Sequence, residues 1–303
     1  MLTYRIYDIA GHLTILQKPV YADIVFSADA PAAGMRAVFT VEGNIPQLYG
    51  AEVFDGETLL FCGLIDEQSE KTDRNGKTLE IRARSREALL LDNEAAPQIY
   101  FMPSMPLLME RHFSRYGFTR FVGESKAFNG RLTVAKGMSE WELLSEFCWK
   151  FLRTVPYITI DGTIDISGQD HSSSIYLGRP LLSVTKKYRR SCLFSELHAR
   201  TYSAGGYEMP FFSSLAEKNK VQRIRYVNAV DSTGKTIEDV QNLLSDSESA
   251  FETYELSADG IVCCCVGDTL RTMELAQPLH ITEIHYIRNS TGEKTRIYAE
   301  VKH

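Results

Sequence analysis

The chain has 303 residues, 44% hydrophobic and 24% charged, enough to bury a sizeable core in two or three compact units. A formal charge of −6 and a pI near 5.7 argue against a protein that holds nucleic acid by neutralising phosphates. No apolar run approaches the roughly 18 residues that cross a bilayer. The N-terminal MLTYRIYDIAGHL lacks the basic start and apolar core of a signal peptide, so synthesis in the cytoplasm is expected.

From Leu2 to about Ser85 the pattern predicts seven short strands, near 2–9, 13–17, 21–27, 35–41, 49–54, 58–68 and 77–85. Gly11, an Ala-Pro-Ala-Ala-Gly loop at 30–34, Gly43–Pro46, Asp55-Gly56 and Asn75-Gly76 punctuate them. Strands this short and evenly spaced suggest a small barrel or sandwich. Gly63 interrupts the apolar strand that starts near Leu60. The Asn75-Gly76 pair supplies the positive φ angles of a tight hairpin. In the strand after it, Leu79, Ile81 and Ala83 point one way and Glu80, Arg82 and Arg84 the other. A short Leu-rich segment then runs into Asp92-Asn93-Glu94.

Residues 86–170 read as α+β. Ser104 opens a helix expected to reach Tyr116, with Pro106 allowed in its first turn and Gly117 as its stop. Ser139-Glu140-Trp141-Glu142 is a capping box, and Leu143, Leu144, Phe147, Cys148, Phe151 and Leu152 follow at helical spacing. Tyr157–Ile166 is expected to form a hairpin turned by Asp161-Gly162. Its Ile158, Ile160, Ile164 and Ile166 would pack as one face on the preceding helix.

Two runs carry a resemblance, LFCGLIDEQSEKTDRNGKTLEIRARSREALLLDNEAAPQIYF at 60–101 and KGMSEWELLSEFCWKF with the YITIDGTIDI hairpin behind it. Their order and spacing resemble the baseplate hub proteins of phage tails, the late-control gene D group and its relatives in prophages and tailocins. The resemblance is strongest over 50–101 and 132–168 and weakest over 171–250. It implies a β-rich α+β fold: two small barrel-like domains with an α+β domain between or beside them. The domains would be a barrel-like 1–90, an α+β 91–170, and a second barrel-like 171–303 with basic and helical insertions. No residue-level repeat links 1–85 to 255–303, so the echo between the barrels rests on the resemblance alone. It further implies a homotrimer. Its paired barrels would dock on a hexameric tail tube at one end and on a three-fold spike or tail-tip protein at the other, with LysM-like and tape-measure proteins nearby. The location implied is the baseplate of a virion or tailocin particle. No cofactor is implied.

Beyond 171, one helix is expected at Ile237–Ser249, and 261–267, 279–287 and 295–301 read as antiparallel strands around an Asn289–Gly292 turn. Cysteines stand at 62, 148, 192, 263, 264 and 265. The consecutive three read as small buried residues of a strand, with redox pairing or a metal as alternatives, and a zinc site would need two further ligands. Residues 179–225 carry ten Lys or Arg against Glu196, Glu208 and Glu217, a local balance of +7. Lys186, Lys187, Arg189 and Arg190 cluster there. Arg223 and Arg225 are expected on one face of a strand, with Ile224 on the other. A solvated face, a charge-complementary subunit contact and nucleic acid all fit such a stretch; the six basic residues are the candidate subunit interface.

Signals of catalysis are few. There is no nucleophile elbow, no zinc-protease helix motif and no phosphate-cradling loop. Asp170-His171 before three serines holds the residue types of a triad, but adjacent positions rarely give its geometry. Of Glu140, Glu142 and Glu146, Glu142 is explained by the cap, and Glu142 with Glu146 by a solvated face rather than by sugar hydrolysis. His280 and His285 are expected on opposite strand faces, away from a shared metal. A tail-associated peptidoglycan hydrolase would need a further catalytic domain, for which strand-rich sequence to His303 leaves no expectation. An adhesin would need a sugar platform, yet Trp141 and Trp149 sit on a helix where core packing explains at least one of them. The sequence therefore points to a non-enzymatic assembly protein.

Overall fold

The computed structural model describes residues 2–28, 30–74, 76–169, 172–200, 206–228 and 237–301. The fold is α+β and rich in strand. Its contacts divide the chain into two units, Met1–His171 with His285–Lys294, and Ser172–Ile284 with Thr295–His303.

In the first unit, seven strands form one antiparallel sheet: β1 (Leu2–Asp8), β2 (Leu13–Gln17), β3 (Tyr21–Ser27), β4 (Ala30–Val41), β5 (Leu48–Asp55), β6 (Thr58–Asp73) and β7 (Gly76–Ser85). Their spatial order is β2-β1-β5-β6-β7-β4-β3. Alternation drives the sheet: Leu2, Tyr4 and Ile6 of β1, Met35, Ala37 and Phe39 of β4, and Leu79, Ile81 and Ala83 of β7 are all buried. Tyr4 and Phe39 meet edge to face at 5.2 Å. The His285 ring pairs with the Asp23 carboxylate of β3 at 3.0 Å.

Three expectations change here. Ala30–Gly34 is not a loop but the start of β4. Pairing shifts between Val25 and Ser27, and Pro31 falls in that irregular stretch, between the pairs Ser27–Ala30 and Val25–Gly34. Gly63 does not interrupt its strand, because β6 runs through it with Ala51 on one side and Ser85 on the other. A Cβ at 63 would lie 2.2 Å from the Arg84 carbonyl oxygen, so glycine permits a close backbone approach. Barrel closure is also absent, since among the described residues no pairing joins β2 to the β3 side of the path. Leu13, Thr14 and Ile15 of β2 are exposed, so this strand ends the sheet. Asn75 of the expected Asn-Gly turn lies outside the described residues, as do Asp170 and His171.

Residues 90–166 hold a core of their own. The helical run from Met105 is capped by Ser104 and passes through a π-type turn at Met109–Phe113. It stops at Gly117, which has φ 88°. Glu140–Phe147 starts from the expected capping box: the Ser139 hydroxyl accepts from Glu142 N at 3.1 Å, and the Glu142 carboxylate accepts from Ser139 N at 2.7 Å. Leu143, Leu144, Phe147 and Cys148 are fully buried with Ile158, Ile164 and Ile166. Ile160 departs from the expected face and is 46% exposed. The turn contains three residues, with Thr159 N bonded to Thr163 O and Gly162 left-handed, which lifts Ile160 to the tip.

In the second unit, Ser183–Tyr188 pairs antiparallel with Glu252–Asp259. Thr269–Thr272 joins Leu279 antiparallel and Ser174–Leu177 parallel. A separate sheet holds Met209–Phe212, Glu196–Arg200 and Ile224–Asn228, in that order. Helix Ile237–Ser249 is as expected. It covers one face of this sheet, Val240 packing with Leu197 and Ala199. A short helix not expected from the sequence, Ser214–Lys218, is capped by Ser213.

The expected strand 261–267 is a loop. Thr295 Oγ1 accepts from Val262 N at 2.9 Å, and the buried Asp268 carboxylate accepts from Cys265 N at 2.7 Å. These side-chain bonds replace a strand ladder. Cys263 and Cys265 are consequently exposed rather than buried, and Cys264 is half-buried.

Candidate functional site: a basic and aromatic surface

The six basic candidates fall on two elements of the second unit, and their settings differ. All six residues of Ser183–Tyr188 are exposed. Lys186 reaches back to the neighbouring strand, its ammonium 2.7 Å from the Glu252 carboxylate and over the rings of Tyr188 and Tyr254, at 4.9 and 5.4 Å. The bond to Glu252 and those to the two tyrosines push its pKa above the ordinary lysine value. Lys187 pairs with Glu255 at 2.8 Å. Both lysines therefore carry a carboxylate partner within the unit, and their net charge toward a partner is reduced.

Arg189 and Arg190 are exposed where this strand ends, at a turn closed by Cys192 N bonding to Arg189 O at 3.1 Å. The Arg223 guanidinium donates to the carbonyl of Ser191 in that turn, so the fold brings 189, 190 and 223 together. Arg223 is also held by Ser195, whose Oγ accepts from its N–H at 2.8 Å. Arg225 lies over the Phe194 ring at 4.5 Å.

Ile224, expected on the strand face opposite Arg223 and Arg225, is 51% exposed, with Tyr226 at 61% and Phe212 at 67%. The register explains this. Leu197 and Ala199 face the helix, so Glu196 and His198, and with them Ile224 and Tyr226, face away. Tyr226 stacks beside His198 and Tyr207, each at 5.3 Å. A depression lies at the edge of this face, bordered by Glu196, Phe212, Glu217, Lys220 and Ile224.

His112 and Glu140 are buried, Nδ1 of the imidazole 2.8 Å from Oε2 of the carboxylate, and the Tyr100 hydroxyl is 2.7 Å from Nε2. This pair was not expected. Burial pushes the Cys148 thiol up to about 12. Trp141 packs on the core, and Trp149 lies under Arg153 at 5.1 Å. Among the described residues no group of three or more His, Cys, Asp or Glu could hold a metal, and no helix is long and apolar enough to cross a membrane.

No family model matches the sequence, and no curated protein matches it. Solved structures do share its fold. A tail protein from Neisseria meningitidis is 13% identical, with TM-score 0.74 over 99% of this chain and 95% of that one. A prophage MuSo2 tail protein from Shewanella oneidensis is 15% identical, with TM-score 0.76 over 99% and 97%. An E. coli component of the type VI secretion system, described as structurally similar to bacteriophage T4 tail proteins, is 11% identical, with TM-score 0.53 over 93% and 73%. The fold is thus one found in phage and prophage tail proteins and in a secretion-system component.

Proposed function

We propose that this chain is a structural hub of a phage-type tail baseplate: a homotrimer that adapts a six-fold tail tube to a three-fold spike or tip. The observation that carries the reading is the reciprocal coverage. The whole chain matches the whole of two tail proteins, with 95% and 97% of those chains accounted for, so the correspondence is one of architecture and not of a shared module. The capping box expected from the sequence and the close β6–β7 approach at Gly63 are both packing features of the fold. A part that must transmit force without fraying is suited by strands whose backbone groups are paired. In this reading the protein resides at the baseplate, and Arg189, Arg190 and Arg223 form the basic contact to a neighbouring subunit. Lys186, Lys187 and Arg225 serve mainly to hold their own strands.

Cryo-electron microscopy of particles from cells carrying the gene, with and without its deletion, tests this. Density for three copies at the tube end, lost with baseplates in the deletion, is the expected result. A monomer in the assembled particle, or intact baseplates without it, would sink the reading.

A further inference from the structure

We infer that Cys263 and Cys265 are a reversible redox pair: two exposed thiols on one loop that close into a disulfide by exchange with a small disulfide such as oxidised glutathione. The assembly role proposed above uses neither residue.

The loop that carries them is pinned at both ends. Val262 N donates to Oγ1 of the buried Thr295 at 2.9 Å, and that hydroxyl donates in turn to Gly260 O at 2.9 Å. At the other end Cys265 N donates to the buried Asp268 at 2.7 Å, and Asp268 N donates back to Cys265 O at 3.2 Å. Gly267 N adds a bond to Ile281 O at 2.9 Å. Ser173 fixes Asp268 itself, its N–H and hydroxyl donating to the other carboxylate oxygen at 2.7 and 3.0 Å. Between these anchors the exposure alternates: Val262 is buried, Cys263 exposed, Cys264 half-buried and Cys265 exposed. Cys263 and Cys265 therefore share the solvent side, and Cys264 turns from it. Among the described residues they are the two exposed cysteines, since Cys62 and Cys192 are half-buried and Cys148 is buried.

A free cysteine ordinarily behaves as a small apolar residue and is found inside. Two of them held in water on a pinned loop are accessible to oxidants and to exchange. They also feel each other. Partial burial, then the charges of Asp268 and of Cys263, raise the Cys265 thiol above its ordinary value. Cys263 is therefore the attacking thiol and Cys265 the resolving one. As a thiolate, Cys263 attacks one sulfur of the small disulfide, a mixed disulfide forms and the first small thiolate leaves. Cys265 then gives up its proton and attacks the Cys263 sulfur, so the 263–265 bond forms and the second small thiolate leaves. The two protein thiols lose two electrons, and one small disulfide becomes two thiols that take up the two protons. A ring closed across a single residue removes little entropy from the unfolded chain. Such a ring is also strained, and strained, exposed disulfides are the readily reduced ones. The bridge is thus a reversible mark of redox state and not a staple of the fold. A zinc site would need two further ligands, and among the described residues no group of three or more His, Cys, Asp or Glu could supply them.

The test equilibrates the full chain with reduced and oxidised glutathione at a series of ratios, blocks free thiols with iodoacetamide and maps the peptides by mass spectrometry. The expected product has lost two of its six thiols. Its peptide spanning 263–265 is lighter by two hydrogens and alkylated at Cys264, and dithiothreitol restores both thiols. Cys265→Ser should stop at the mixed disulfide, with one glutathione held on Cys263. Cys263→Ser should take up glutathione at Cys265 more slowly than that. Both positions are exposed, so each variant should melt within about 2 °C of the parent. A bridge that includes Cys264 or joins two copies overturns the inference. So do glutathione retained on the parent without ring closure, a Cys263→Ser variant as reactive as Cys265→Ser, and six free thiols at the most oxidising ratio.

Discussion

Between Leu90 and Ile166 a carboxylate and an imidazole are buried together beside a large apolar core, with Phe101, Met102 and Val155 among the apolar side chains left outside it. Between Ser183 and Asn228 the buried cores are small, built around Leu193, Leu197, Ala199 and Ala216. Tyr188, Phe212, Ile224 and Tyr226 face outward, and the polar partners sit at the surface beside them. The first arrangement is costly to disturb. The second contributes little to the fold as it stands, since apolar area left in water gains none of the roughly 25 cal/mol per Å² of burial. Surfaces of this kind in a single chain are the ones a neighbour covers.

The largest expected effect lies in the first region. Replacing His112 by Leu leaves the Glu140 carboxylate buried without its partner, and its Oε1 already has no hydrogen bond. Breaking such a pair costs about 3–5 kcal/mol. Urea unfolding should show that loss for His112→Leu and for Glu140→Leu, and a smaller loss for the double variant, in which neither charge is stranded. Equal losses in all three would make the pair a matter of packing and remove half of the contrast.

Gly63→Ala comes next. The added Cβ meets backbone rather than a flexible side chain, so β6 and β7 must part, at about 3 kcal/mol, near the top of the usual range for overpacking. Thermal unfolding reads it directly. Ser139→Ala should cost about 1 kcal/mol by removing the cap of Glu140–Phe147.

These three sites differ in how visible they were. The strands of the first 85 residues were legible because each alternates and each ends at a turn residue. The capping box was legible because its two bonds join residues three apart. His112 and Glu140 are brought together from different helices, and no local pattern records that. The segment 261–267 misled for a related reason. Ile-Val-Cys-Cys-Cys-Val has the composition of a strand, but the bonds from Thr295 and Asp268 that hold it as a loop come from outside it. The basic cluster was legible as composition only. Which lysines would turn back onto Glu252 and Glu255, and that Ile224 would face out, depended on the register with distant strands.

A smaller effect belongs to Asp161 at the hairpin tip. The hydroxyl of Thr159, then Thr163 and Arg120, hold its carboxyl down at about 2. A carboxyl lowered on folding stabilises above its unfolded value, near 3.9, and loses that contribution as pH falls through the folded value. Asp161→Asn should therefore be less stable than the parent at pH 6, with the gap closing between about pH 4 and 2. A gap that is constant over that range would mean the asparagine is felt through turn geometry and not through charge.

The smallest expected change in stability is at Arg189, Arg190 and Arg223, and it sharpens the comparison most. These side chains are exposed, and surface changes of this kind shift stability by under about 0.5 kcal/mol. Arg189→Glu with Arg190→Glu should leave the unfolding midpoint unchanged, whereas Arg223→Glu also loses the bond to the Ser191 carbonyl and should fall slightly below it. If the surface meets a subunit, the double reversal slows incorporation into tails, and the defect weakens as salt screens the contact over about 10 Å at 0.1 M. Lys186→Glu gives the reverse pattern. It strands Glu252 beside a like charge, so stability drops. Particle yield across a salt series, set beside unfolding midpoints for the same variants, separates the two roles. Unchanged yield for the arginine reversals at every salt concentration would reduce this surface to a solvated face.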